Sequence, residues 1–109
     1  MVIRVAPSTP EGRLGEEPVT VSTDGVRRTI PAQGEIVLGP GESITLEQGV
    51  YHTFWAAPGK GKVLVGEVSS INDDTTDNFF LEPVGRFPEI EEDEEPLYLL
   101  CTEYPEGGP

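Results

Sequence analysis

Glycine and proline interrupt this chain every few residues, and their spacing limits the elements that it can form. The 109 residues include 13 glycines and 11 prolines. Glycine favours turns, and proline removes a backbone donor and breaks a helix, so few uninterrupted stretches are long enough to be helical. The sequence therefore predicts an all-β chain of short strands joined by tight turns.

Short stretches that alternate apolar and polar side chains lie between these interruptions. The alternation is sharpest over residues 19–22 and 26–30, and Asp24 and Gly25 between them supply the positive φ angles of a two-residue hairpin turn. The same pattern predicts six further strands, over residues 1–5, 35–38, 43–46, 50–55, 62–69 and 97–101. Strands of this length and spacing are typical of a sandwich or a double-sheet jelly roll, here as one domain over residues 1–109.

The predicted strand over residues 62–69 has two faces with different side chains. Val63, Val65 and Glu67 are expected on one face, and Leu64 and Val68 on the other. If the apolar residues mark the buried side, Glu67 shares that side with the two valines. A shift of one residue would turn Glu67 outward, so a functional and a purely structural role both stay open for it.

The charge of the chain excludes some classes of partner. Twenty acidic and seven basic residues give a net charge of −13, which repels nucleic-acid phosphates and anionic lipid. No stretch has the length of a membrane span or the order of a signal peptide, and the single cysteine, Cys101, has no internal disulfide partner. We therefore expect a cytoplasmic protein that binds neither nucleic acid nor membranes.

The most informative pattern runs over residues 41–52, from a turn at Gly41, through a second turn at Gly49, to His52. It resembles the second motif of the cupins, which runs glycine, five residues, proline, any residue, glycine, two residues, histidine. Glu47 replaces the proline of that motif, and Ala56 stands where an asparagine usually follows. The resemblance implies a cupin-type double-stranded β-helix, that is, a jelly-roll barrel.

Longer stretches on both sides of this histidine resemble the D-lyxose isomerase family. The resemblance covers residues 18–105 and is most specific over residues 66–88, while residues 1–17 form an opening strand and a polar loop. The matching stretches are residues 49–55, 66–69, 72–74, 76–78, 81–83, 85–93 and 98–101. The chain thus looks like the carboxy-terminal part of such an enzyme.

The resemblance implies a divalent metal, usually manganese, bound by a His-x-His pair, a following glutamate and a later histidine. His52 matches the later histidine and is the only histidine in the sequence. The other ligands belong to a first cupin motif, which the sequence lacks, and one imidazole cannot hold such a cation against water. A fragment, a partner chain that supplies the missing ligands, and a lost metal site all stay open.

The chemistry implied by the resemblance is proton transfer between C1 and C2 of an aldose and its ketose through an enediol. A metal would polarise the sugar oxygens while a carboxylate moves the proton. Glu82 and Glu67 are the candidates for that carboxylate, and Arg86 is a candidate to orient the sugar oxygens or the base. Trp55 is a candidate to stack on the sugar ring. The structural alternatives are an ion pair between Glu82 and Arg86, and simple packing of Trp55.

Two functions from different classes therefore compete. The first is isomerisation of a small-molecule sugar, of the D-lyxose to D-xylulose type. The second is a non-catalytic cupin-like binding or interaction module that has lost its metal ligands; a metal-dependent oxygenase is a third option, since cupins host many chemistries.

A barrel without its first-motif strands would expose apolar surface and unpaired strand edges. We therefore expect a homodimer or higher assembly, or pairing with a chain that carries the missing motif.

Overall fold

The computed structural model describes residues 1–71, 73, 78–82, 91–100 and 103–107. These residues form strands and loops without a helix, so the predicted all-β class is confirmed. None of the described residues belongs to a helix that could span a lipid bilayer. The strands are β1 (Val2–Pro7), β2 (Val19–Thr23), β3 (Val26–Ile30), β4 (Gly34–Val37), β5 (Ile44–Thr45) and β6 (Val50–Trp55).

The strands form two antiparallel sheets of three strands each. β1 is the central strand of the first sheet, between β4 and β6, and β2 is the central strand of the second, between β3 and β5. The register of the first sheet places Ile3 opposite Ile36 on one side and opposite Phe54 on the other. Two packed antiparallel sheets are the architecture of a cupin-type β-sandwich, and the predicted fold class is confirmed.

The core is made by residues of the two central strands together with two residues at and just after β4. Removing such valine and isoleucine side chains from water contributes about 1.5–3 kcal/mol each, which is enough to hold two small sheets together. In β2 every second residue is buried, so this strand presents one face to the other sheet. In β1, Ile3 and Val5 face the core, and Val2 and Ala6 on the opposite face are buried as well. The cluster consists of Ile3, Val5, Val19, Val21, Ile36 and Leu38.

The hairpin of β2 and β3 forms as the sequence predicts. Asp24 and Gly25 have φ angles of 47° and 81°, as the two-residue turn requires. The carboxylate Oδ1 of Asp24 accepts hydrogen bonds from the backbone N and the Oγ of Ser43, at 3.0 and 2.9 Å. The turn is therefore fastened to the residue that precedes β5.

Two of the predicted strands are wrong where the structure describes them. Residues 62–69 and 97–100 form no strand and are all exposed, and Cys101 lies outside the described residues. Exposure still alternates along the first segment, at 44% and 40% for Val63 and Val65 against 99% and 101% for Leu64 and Val68. Alternation of side chains defines two faces, but a strand also needs a neighbour for its backbone groups. Among the described residues no strand pairs with this segment.

Candidate active site

An open concavity of about 980 Å³ lies beside the first sheet. Residues of β1 and β6 line it together with the loop after β1 and the described residues 78–82. Three of the predicted site residues, His52, Glu67 and Glu82, border it. Trp55 is not among its lining residues, and Arg86 lies outside the described residues.

The pairing of β1 with β6 determines the side of the sheet from which His52 projects. His52 lies opposite Val5, and directly opposed residues of antiparallel strands point to the same face. Val5 is 1% exposed and belongs to the core, and Val50, on the same face as His52, packs against that core. The imidazole therefore leaves the sheet on its core side. The residue is exposed there, and its Nδ1 lies 3.3 Å from the carbonyl oxygen of Val50.

Glu67 and Glu82 reach the concavity from the part of the chain that follows β6. Both glutamates are exposed to solvent. They do not form a metal site with His52, because the described residues contain no group of three histidine, cysteine, aspartate or glutamate side chains that could hold a metal ion. A divalent cation of the manganese type needs several such ligands. The described residues of this chain therefore do not fit a metal by themselves.

Trp55 contacts an arginine that the sequence does not single out. The Cζ atom of Arg4 lies 5.3 Å from the centroid of the Trp55 ring, in a cation–π contact. The same guanidinium donates a hydrogen bond to Oε1 of Glu35 on β4, which the register places opposite Arg4. Arg4 therefore covers one face of the indole. The only signal for this contact is the pairing of β1 with β6, which links distant parts of the sequence.

The loop after β1 forms one wall of the concavity and is closed by its own hydrogen bonds. The backbone N of Thr9 donates to the carbonyl of Arg13 at 2.8 Å, and the N of Gly12 donates to the carbonyl of Thr9 at 2.9 Å. The N of Arg13 donates to Oγ1 of Thr9, and the N of Gly15 donates to the carbonyl of Pro7. Hydrogen bonds within residues 7–15 therefore fix this wall to the end of β1.

The two packed antiparallel sheets form a cupin-type β-sandwich, and His52 borders the same concavity as Glu67 and Glu82. Comparison with known sequences gives the particular group. The sequence model of D-lyxose isomerase matches residues 1–104. The chain belongs to the D-lyxose isomerase family, which confirms the resemblance carried by its motifs.

Three curated relatives bear the name D-lyxose/D-mannose isomerase. The one from Serratia proteamaculans is 55% identical over 91 residues, which are 84% of this chain and 40% of the relative. The one from Escherichia coli O157:H7 is 50% identical over 92 residues, with the same two shares. The one from Thermosediminibacter oceani is 35% identical over 82 residues, 75% of this chain and 44% of the relative. The chain thus spans less than half the length of these relatives.

Proposed function

We propose that this chain is part of a sugar isomerase that interconverts an aldose and its ketose. The observation that carries the proposal is the family match over residues 1–104, supported by 55% identity to a D-lyxose/D-mannose isomerase. The names of the relatives favour D-lyxose and D-mannose as substrates. For D-lyxose the product is D-xylulose.

The proposed reaction moves one proton between neighbouring carbons of the open-chain sugar. A carboxylate removes the proton from C2 of the aldose and returns it to C1, while a hydroxyl proton passes from O2 to O1 through an enediol. Glu67 and Glu82 are the candidates for this carboxylate because both border the concavity. Arg86 and Trp55 remain the candidates to orient the sugar.

A divalent metal, of which manganese is our first choice, is part of the proposal. When bound, it would polarise the carbonyl and hydroxyl oxygens of the sugar. His52 would be one ligand. The described residues supply no group of three ligands, and we assign the other ligands to a region that carries the first cupin motif. That region belongs to another part of the protein or to a partner chain, and a homodimer is the simplest assembly in which a partner meets this chain.

A reconstitution experiment tests the proposal. It combines this chain with the region of the relatives that this chain does not match. The purified chain is mixed with a polypeptide equivalent to the remaining part of the S. proteamaculans relative, with Mn²⁺ and D-lyxose, and D-xylulose is measured. We expect turnover in the mixture, one Mn²⁺ for each copy of the chain, and loss of Mn²⁺ in His52→Ala. A mixture that binds Mn²⁺ in this ratio but forms no ketose from D-lyxose or D-mannose would contradict the isomerase proposal.

Two matched variants identify the proton carrier. We expect Glu82→Gln or Glu67→Gln to lower kcat by about 10²–10⁴-fold, the usual contribution of a general base, while the other variant retains most of the activity. Both substitutions keep the size of the side chain and replace the basic, negatively charged carboxylate with a neutral amide. Retention of full activity by both variants would exclude the two glutamates.

The competing proposal is a non-catalytic cupin-like module. The observation that favours it is the lack of a three-ligand group among the described residues. If the mixture binds D-lyxose in a calorimetric titration but binds no metal and forms no ketose, the module is the correct function.

A further inference from the structure

Three residues from distant parts of the sequence meet beside the concavity: Gly12, Tyr51 and Phe79. The hydroxyl of Tyr51 on β6 donates a hydrogen bond to the carbonyl oxygen of Gly12, at 2.5 Å. The ring centroids of Tyr51 and Phe79 lie 6.4 Å apart with the planes tilted by 60°, a favourable arrangement for an aromatic pair. Tyr51 therefore contacts both the loop after β1 and the segment that carries Glu82.

Gly12 makes room for the ring of Phe79. A Cβ atom on Gly12 would lie 3.1 Å from Cζ of Phe79, which is closer than most such contacts, so the ring would have to shift by a few tenths of an ångström. The φ angle of Gly12 is +79°, a conformation that residues with a side chain rarely adopt. The loop hydrogen bonds described above fix Gly12 in this position. The tip of the Phe79 ring therefore contacts a loop whose conformation is set by its own hydrogen bonds.

We propose that Gly12, Tyr51 and Phe79 form a latch that positions residues 78–82, and with them Glu82, at the concavity. Glu82 is three residues after Phe79, so a fixed Phe79 confines the Cα of Glu82 to within about 11 Å. Tyr51 and Phe79 are positioning residues that act through this segment and not on the sugar. The role of the latch in placing Glu82 for catalysis rests on the proposed function. The existence of the latch is inferred only from contacts within the chain.

Spin labels measure directly whether the latch holds the segment. Cys101 is replaced by serine, cysteines are introduced at Thr29 on β3 and at Glu82, and both are labelled with nitroxides. Pulsed electron resonance then gives the distribution of distances between the labels. We expect one dominant distance with the latch intact. Tyr51→Phe keeps the ring but loses the hydrogen bond, so we expect the share of other distances to rise about two- to ten-fold, as for the loss of one hydrogen bond.

Matched substitutions separate the latch from general effects. Phe79→Leu should broaden the distribution as Tyr51→Phe does, whereas Phe80→Leu, the same change at the next residue, should not. Tyr98→Phe removes a hydroxyl from a tyrosine that is 81% exposed and should also have no effect. Gly12→Ala should displace Phe79 although it removes no hydrogen-bonding group. A second label pair, at Thr29 on the second sheet and Val37 on the first, reports whether the two sheets remain folded and packed in each variant.

The results separate the latch from the isomerase proposal, because neither sugar nor metal is present. If Tyr51→Phe and Phe79→Leu leave the distribution unchanged while the sheets stay folded, the latch does not exist. Equal broadening in Phe79→Leu and Phe80→Leu would also overturn it. If a latch variant unfolds the sheets, cleavage by chymotrypsin after Phe79 in the unlabelled parent protein decides: cleavage slower than after Tyr98 supports the latch, and equal rates contradict it.

Discussion

At the scale of single residues, Thr23 is the clearest unsatisfied group of the core. It is 6% exposed, and among the described residues its Oγ1 has no hydrogen-bond partner. A buried hydroxyl without a partner costs about 1–3 kcal/mol. Thr23→Val keeps the shape of the side chain and removes the hydroxyl, so we expect the free energy of unfolding to rise by about 1 kcal/mol.

The midpoint of urea unfolding measures this change, with an unchanged slope as the sign that only stability differs. Thr20→Val is the matched control, because Thr20 lies on the same strand but is exposed. An equal rise in both variants would show that β-propensity, and not the buried hydroxyl, is the cause.

The site residues differ in how far the sequence alone could place them. His52 was found because its motif is local, with two turn glycines at a fixed distance before it. The contact between Arg4 and Trp55 could not be found, since it depends on the pairing of β1 with β6 across some fifty positions. The side of the sheet from which His52 projects depends on the same pairing. The spacing of a local motif identifies candidate site residues. Only the register of the strands shows which of these residues lie on the same face.

At the scale of elements, the turn between β2 and β3 tests how much one glycine contributes. Gly25 has a φ of +81°, and a Cβ there would meet nothing within 4 Å. The cost of Gly25→Ala is therefore backbone strain alone, about 1–2 kcal/mol. We therefore expect Gly25→Ala to lower the thermal unfolding midpoint, because the strain destabilises the folded state.

Gly66→Ala is the control for this change. A Cβ at Gly66 also meets nothing within 4 Å, but Gly66 lacks a positive φ, so we expect little change or a small gain in stability. If both variants lost the same stability, the turn conformation would not be the cause.

The hairpin and the segment after β6 show why some strands were predicted correctly and others were not. The turn chemistry of Asp24 and Gly25 is local, and the two strands that it joins are each other's neighbours. Residues 62–69 carry an equally clear alternation, and Val63 and Val65 are the less exposed side of it. The alternation of side chains does not show, however, whether another strand lies beside this segment. Without a neighbouring strand, the backbone N–H and C=O groups cannot form the hydrogen bonds of a sheet.

At the scale of the whole molecule, the described residues 62–71 after β6 remain exposed to solvent. The Cα radius of gyration is 17.5 Å, whereas a compact domain of this length has about 13 Å. Leu64, Val68 and Ile71 are about as exposed as in an extended chain, at 99%, 101% and 103%. Apolar surface of this extent is typical of an interface. It supports the proposal that another chain, or another part of the protein, covers this segment.

The net charge of −13 sets how a homodimer would respond to salt. Two copies of one sign repel, and this repulsion is screened as the Debye length falls from about 10 Å at 0.1 M to 3 Å at 1 M salt. If a second copy covers residues 62–71, light scattering should show the dimer share rising several-fold between 0.05 and 0.5 M NaCl. Leu64→Asp should abolish the rise, because it places a charge on the proposed interface, while Val37→Asp, at a 70% exposed position of β4, should not. A monomer at every salt concentration would exclude the homodimer and leave pairing with a chain that carries the first cupin motif.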